Sequence, residues 1–136
     1  MNAPSREIAD YLESLNIGQI GATSGWGIFL GDEPAAPNTT ITVYDTGGTE
    51  PVIRAQIFNP TIQVRVRAHD YQEAYDKARQ VRAALTQVVM QVLGDTYVIG
   101  IWMTTEIFNI GRDGNNRYRL TANFRLQTQP TTEATS

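Results

Sequence analysis

The chain of 136 residues contains no cysteine and a single histidine, His69. The first absence excludes a disulfide scaffold, a thiolate metal site and a cysteine nucleophile together. The second leaves a metal without the converging ligands it needs, and no Gly-x-Ser-x-Gly elbow or comparable motif gives His69 a nucleophile to serve. His69 is therefore read as a turn or surface residue, and no metal, cofactor or catalytic site is expected. Long apolar runs are also lacking. Nowhere do about 18 apolar residues follow one another, and Met1 to Arg6 contains no stretch of signal-peptide kind. A soluble, unexported protein with no membrane partner is the expectation. Charged residues are sparse, 18% against 41% hydrophobic, and the net charge is −3 with a pI near 5.0. This balance provides no general footprint for a duplex nucleic acid, and so little charge suggests a surface partly covered by partners. The glycine pairs at Gly25-Trp26-Gly27 and Gly47-Gly48 lack the Lys-Ser/Thr ending of a phosphate loop, so turn geometry accounts for them.

What is present is a set of clear periodicities. Ile8, Tyr11, Leu12 and Leu15 make one apolar stripe on a short helix, opened by Pro4 or Ser5 and closed by Gly18. Trp26 to Leu30 and Thr40 to Tyr44 read as strands, with Ile41 and Val43 on one face. The stretch from Asp45 to Pro60 carries turn residues yet also Val52, Ile53, Ile57 and Phe58, which describes an arm or long hairpin that docks on its own domain or on a neighbour.

Thr61 to Arg67 alternates without a fault. Ile62, Val64 and Val66 go to one face, and Gln63, Arg65 and Arg67 to the other. Asp70 with Glu73 forms an Asp version of a capping box, and Tyr75, Ala78, Val81, Leu85, Val88, Val89 and Val92 continue a helical stripe as far as Gly94. That helix should pack on the Ile62, Val64 and Val66 face. Period two returns from Tyr97 to Thr104, Glu106 to Ile110 is extended, and Gly111 to Asn116 is a turn leading into a strand from Arg117 to Gln127. The order α-β-β-arm-β-α-β-β-β describes one α+β domain over 1–127, with a mixed, mainly antiparallel sheet and two helices on one face. The arm lies at about 45–60, and residues 128–136 are expected to be a flexible tail.

Arg65, Arg67, Arg117, Arg119 and Arg125 fall on one face if their strands are neighbours. A solvated face, a contact between subunits and a nucleic-acid surface all remain open at this level, the last weakened by the absence of interleaved aromatics.

Three segments, in order and spacing, carry a resemblance: Tyr44-Asp45-Thr46-Gly47-Gly48, the strand from Ile62 to Arg67 running through His69-Asp70-Tyr71 to Tyr75, and Gly111-Arg112-Asp113 before Thr121 to Leu126. Together they resemble the tail terminator or minor capsid proteins of long-tailed, non-contractile phages, over almost the whole chain apart from the tail. The resemblance implies helices packed on one side of a sheet. It further implies a homo-oligomer, a hexameric ring that caps the tail tube and meets the head-to-tail stopper or connector. DNA would pass through its lumen without sequence-specific binding. The protein would reside in the virion after assembly in the host cytoplasm. Under this reading Asp45, Arg54, Phe58, Arg65, Arg67, Trp102, Arg112, Asp113 and Arg117 are candidate contacts to subunits or partners, with the arginines pairing carboxylates and Phe58 and Trp102 as apolar anchors. Two competing classes are another neck component, a stopper or tail-tube subunit, and a small hydrolase or nucleotide-binding enzyme. The latter requires a polar pocket with perturbed groups that the sequence does not advertise.

Overall fold

The computed structural model describes residues 2–131. Helix α1 spans Pro4–Ser14, and Ile8, Ala9 and Leu12 are fully buried along its stripe. Leu15, expected on the same stripe, is 42% exposed because the helix has ended and turned away by then. Ala3 at the N-cap has no side-chain oxygen to satisfy the first turn. Asp45 supplies it from the sheet, accepting from Ser5 N–H at 2.9 Å and from Ser5 Oγ at 2.6 Å.

Helix α2 spans Tyr71–Thr86, and its N-cap Asp70 accepts from Glu73 N–H at 2.9 Å. The apolar stripe predicts a helix reaching Gly94, but the helix stops at Gln87 and Val89–Leu93 forms a strand. The segment Val88, Val89 and Val92 fits a helical spacing and equally suits an extended edge. The β-branched side chains favour the second, and Met90 at φ 48 breaks any helix.

The strands are β1 (Gln19–Ile20), β2 (Gly27–Leu30), β3 (Thr40–Val52), β4 (Ile57–Ala68), β5 (Val89–Leu93), β6 (Thr96–Met103), β7 (Phe108–Arg112) and β8 (Tyr118–Pro130). They form one eight-stranded sheet in the order β1-β2-β3-β4-β8-β6-β5, with β7 also on β8. The β1–β2 and β2–β3 pairs are parallel and the rest antiparallel. The α+β architecture therefore agrees with the pattern in the sequence, while β1 and β5 are additions to it. β8 runs three residues beyond the expected end at Gln127, and 132–136 of the expected tail lie outside the described residues.

Cross-strand register assembles the core. The rows Ile41, Val66, Leu120 and Val43, Val64, Ala122 line up on one face. Ile8 and Leu12 of α1 and Val81 and Leu85 of α2 close over that face in a single buried cluster. Each such side chain stabilises the fold by about 1.5–3 kcal/mol through area removed from water. At the start of α1 the row Phe58, Thr128, Val98 meets Pro4 and Glu7 of the helix around a pocket.

Candidate interaction surfaces

The face of the sheet opposite the helices presents Thr40, Arg67 and Arg119 in one row, then Thr42, Arg65 and Thr121, then Tyr44, Gln63 and Asn123. Alternation alone makes this an outward, solvated surface. The turn after β2 changes that at one end, because it lays Glu33 against the arginines. Glu33 Oε1 stands 3.7 Å from Arg67, 3.9 Å from Arg65 and 4.0 Å from Arg119. Arg67 also donates to the Pro37 carbonyl at 2.8 Å and is only 2% exposed. Burial depresses its pKa, and the neighbouring Arg117 charge depresses it further.

Beside this group, the Gly111–Asn116 turn is pinned by Asp113. Its carboxylate accepts from Arg117 Nε at 2.8 Å and lies 2.8 Å from Arg117 Nη2, a two-pronged pair. It also accepts the N–H groups of Asn115 and Arg117, each at 3.0 Å. Partial burial alone would raise the pKa of Asp113. These hydrogen bonds and the Arg117 charge outweigh it and hold the group at about 2. Arg117 in turn donates to the Ala35 carbonyl at 2.7 Å, tying the turn to the same segment that carries Glu33.

Arg67, Arg117 and Asp113 thus have hydrogen-bond or ion-pair partners within the chain. The segment 32–38, which meets Arg67 and Arg117, is distant in sequence from both. Asp45 is likewise engaged as the cap of α1. Half-buried Glu33 and buried Glu7, unmarked by any motif, are carboxyl-bearing side chains that pattern reasoning passes over.

The other candidates face outward. Arg65 is half-buried with its guanidinium 5.0 Å from the Tyr44 ring centre. Trp102 is 43% exposed, and Arg125 stacks over it at 4.5 Å. Arg112 is exposed, donates to Asn116 Oδ1 at 2.8 Å and lies 5.1 Å from the Tyr118 ring centre. Arg54 sits exposed in the turn between β3 and β4 beside exposed Val52 and Ile53. Phe58 is half-buried in the wall of an apolar pocket of about 290 Å³, lined also by Pro4, Pro60, Leu93, Val98 and Leu126. At the sheet's end, β5 pairs only with β6 and exposes Val89, Met90 and Val92 by more than half.

Glu7 stands at the pocket and is 3% exposed. Its Oε2 accepts from Thr96 Oγ at 3.1 Å and from Asp95 N–H at 3.4 Å, while Oε1 has no hydrogen-bond partner among the described residues. Burial raises its pKa, and the Asp95 carboxyl adds to that rise. Among the described residues no group of three His, Cys, Asp or Glu side chains is placed to hold a metal, and His69 is exposed. Among the described residues no helix is long and apolar enough to cross a membrane.

Surfaces of this kind, apolar margins around a rigid sheet, suit contact with other proteins. Among curated proteins, none matches the chain. Among solved structures, one chain from the "Virion of native gene transfer agent (GTA) particle" shares the fold at a TM-score of 0.62 and 15% identity, over 93% of this chain and 94% of that one. The family described as "Bacteriophage tail terminator protein" matches residues 11–130. With a match over that extent, the chain belongs to the bacteriophage tail terminator protein family, whose role in the tail is structural.

Proposed function

We propose that the protein terminates a phage tail by assembling into a closed ring, hexameric as the family resemblance implies, that caps the tail tube and joins it to the head-to-tail connector. The observation that carries this reading is the pair of unlike free margins on one subunit. On one side β5 exposes Val89, Met90 and Val92, and on the other β3 has, among the described residues, no strand partner beyond Val43 except β4 and ends at exposed Val52 and Ile53. Unlike patches make heterologous contacts, and such contacts close into rings when the rotation between copies allows it.

DNA traversing the ring would meet little that holds it. Arg65, Arg67, Arg117 and Arg119 have Glu33 and Asp113 among them, and the chain as a whole is acidic. Arg54, Phe58, Arg112 and Trp102, with the open edge of the Arg65 cluster, are the surfaces left for tube, connector and neighbouring copies. The virion is then the site of action, reached by assembly in the host cytoplasm.

Negative-stain imaging and mass measurement of the purified chain, alone and with tail-tube protein, test the reading. Rings with a central hole are the expected result. Monomers under both conditions would overturn it.

A further inference from the structure

The arm and the pocket carry opposite halves of a contact. At the tip of the β3–β4 hairpin, Val52 is 51% and Ile53 65% exposed among the described residues. The next residue, Arg54, is exposed and has no ion-pair partner among the described residues. The tip is therefore a cation flanked by two aliphatic side chains, on a two-stranded ribbon too small for a core of its own.

The pocket beyond the start of α1 has the reverse character. Its volume of about 290 Å³ is enclosed by Phe58, Pro60, Leu93, Val98 and Leu126, with Glu7 as the charged group in its lining. One Glu7 oxygen, in a side chain 97% buried, lacks a hydrogen-bond donor among the described residues. An apolar space of this size, far above the roughly 30 Å³ share of one water, exposes hydrophobic surface until something fills it. A guanidinium satisfies a buried carboxylate while its methylene stem lies along apolar walls. The last residues of the chain, Thr132-Glu133-Ala134-Thr135-Ser136, are poor candidates by chemistry, having no large apolar side chain and bringing a second carboxylate.

We propose that the arm tip of one copy enters this pocket in the next, with Val52 and Ile53 against Phe58, Leu93 and Leu126, and Arg54 paired to Glu7. The contact is heterologous, since tip and pocket are different surfaces of each subunit, and it propagates around a ring. This rests on the ring reading above and specifies which surfaces close it. Arg54 discriminates among partners because a misplaced tip leaves Glu7 buried without its counter-ion.

The natural absence of cysteine makes the test direct. Ile53→Cys and Pro4→Cys, one at the tip and one at the pocket rim, are prepared separately and mixed in equal amounts under mild oxidation. A disulfide-linked dimer should accumulate in the mixture, with each variant alone giving at least tenfold less. In parallel, Arg54→Glu should weaken association of the full-length chain at least tenfold, with an unchanged circular dichroism spectrum. If the unmodified protein forms rings, yet the mixture gives no excess dimer and Arg54→Glu rings assemble as before, the contact is elsewhere and the ring reading survives. Monomeric unmodified protein, both alone and with tail-tube protein, would remove both.

Discussion

Asp45 holds Ser5 from the far side of the core: a carboxylate on the third strand accepts both the backbone N–H and the hydroxyl of the second residue of helix α1. The helix thereby gains the cap that Ala3 cannot provide, and its start is fixed over the place where the hairpin leaves the domain. Asp45→Ala should lower stability by about 1 kcal/mol, the usual cost of losing a helix cap. Urea unfolding measures this, and a change under about 0.3 kcal/mol would show that the first turn is held by packing alone.

Half-buried Glu33 is the counter-ion nearest three arginines, so its charge matters to the fold. Glu33→Gln keeps the shape and leaves Arg65, Arg67 and Arg119 facing one another. A loss of about 3 kcal/mol is expected, because buried Arg67 is left with only the more distant Asp113, at 4.0 Å, as counter-ion. The exposed Arg112→Gln should change stability by no more than about 0.5 kcal/mol. Equal midpoints for the two variants in urea would contradict the assignment.

Acid should reveal Asp113. Its folded pKa of about 2 lies below the ordinary 3.8, so its contribution is fully present above the unfolded value and disappears as pH falls from about 4 towards 2. Asp113→Asn lacks that contribution from the outset. Thermal melts of the two proteins should differ at pH 7 and converge near pH 2, whereas a constant offset across that range would place the effect elsewhere.

Glu7 has the opposite sign. Burial raises its folded pKa above 4.5, so the fold favours the protonated acid, and the associated stability is present below about pH 4.5 and lost as pH rises through the folded value. Glu7→Gln, which mimics the neutral acid, should therefore melt no lower than the unmodified monomer at pH 7, and the two should coincide at pH 4. A Glu7→Gln monomer markedly less stable at pH 7 would refute this. In the assembled ring the same change removes the partner of Arg54, so association should weaken even as the monomer holds.

Local periodicity is why much of the fold can be read directly from residues. Ile62, Val64 and Val66 alternate because one face of β4 is buried, and the Asp70 cap with Glu73 marks the start of α2 unmistakably. The end of α2 is less visible, since Val88, Val89 and Val92 satisfy both a helical and an extended spacing, and only the conformation at Met90 separates them. The arginine face is harder still. Alternation correctly sets Arg65 and Arg67 opposite the core, but their fate depends on Glu33 and Pro37, contributed by a segment some thirty residues earlier. Such a partnership leaves no mark in local pattern. The same holds for Asp45, whose helix lies forty residues away in the chain.

The bare margin of β5, Val89-Met90-Gln91-Val92-Leu93, has no charge and no proline to blunt it. A ribbon left open in this way templates further ribbons, whoever supplies them. Free subunit accumulating faster than tails consume it should clump into insoluble aggregates, and Met90→Lys should keep overproduced protein dispersed. The solubility of the free subunit thus depends on five residues.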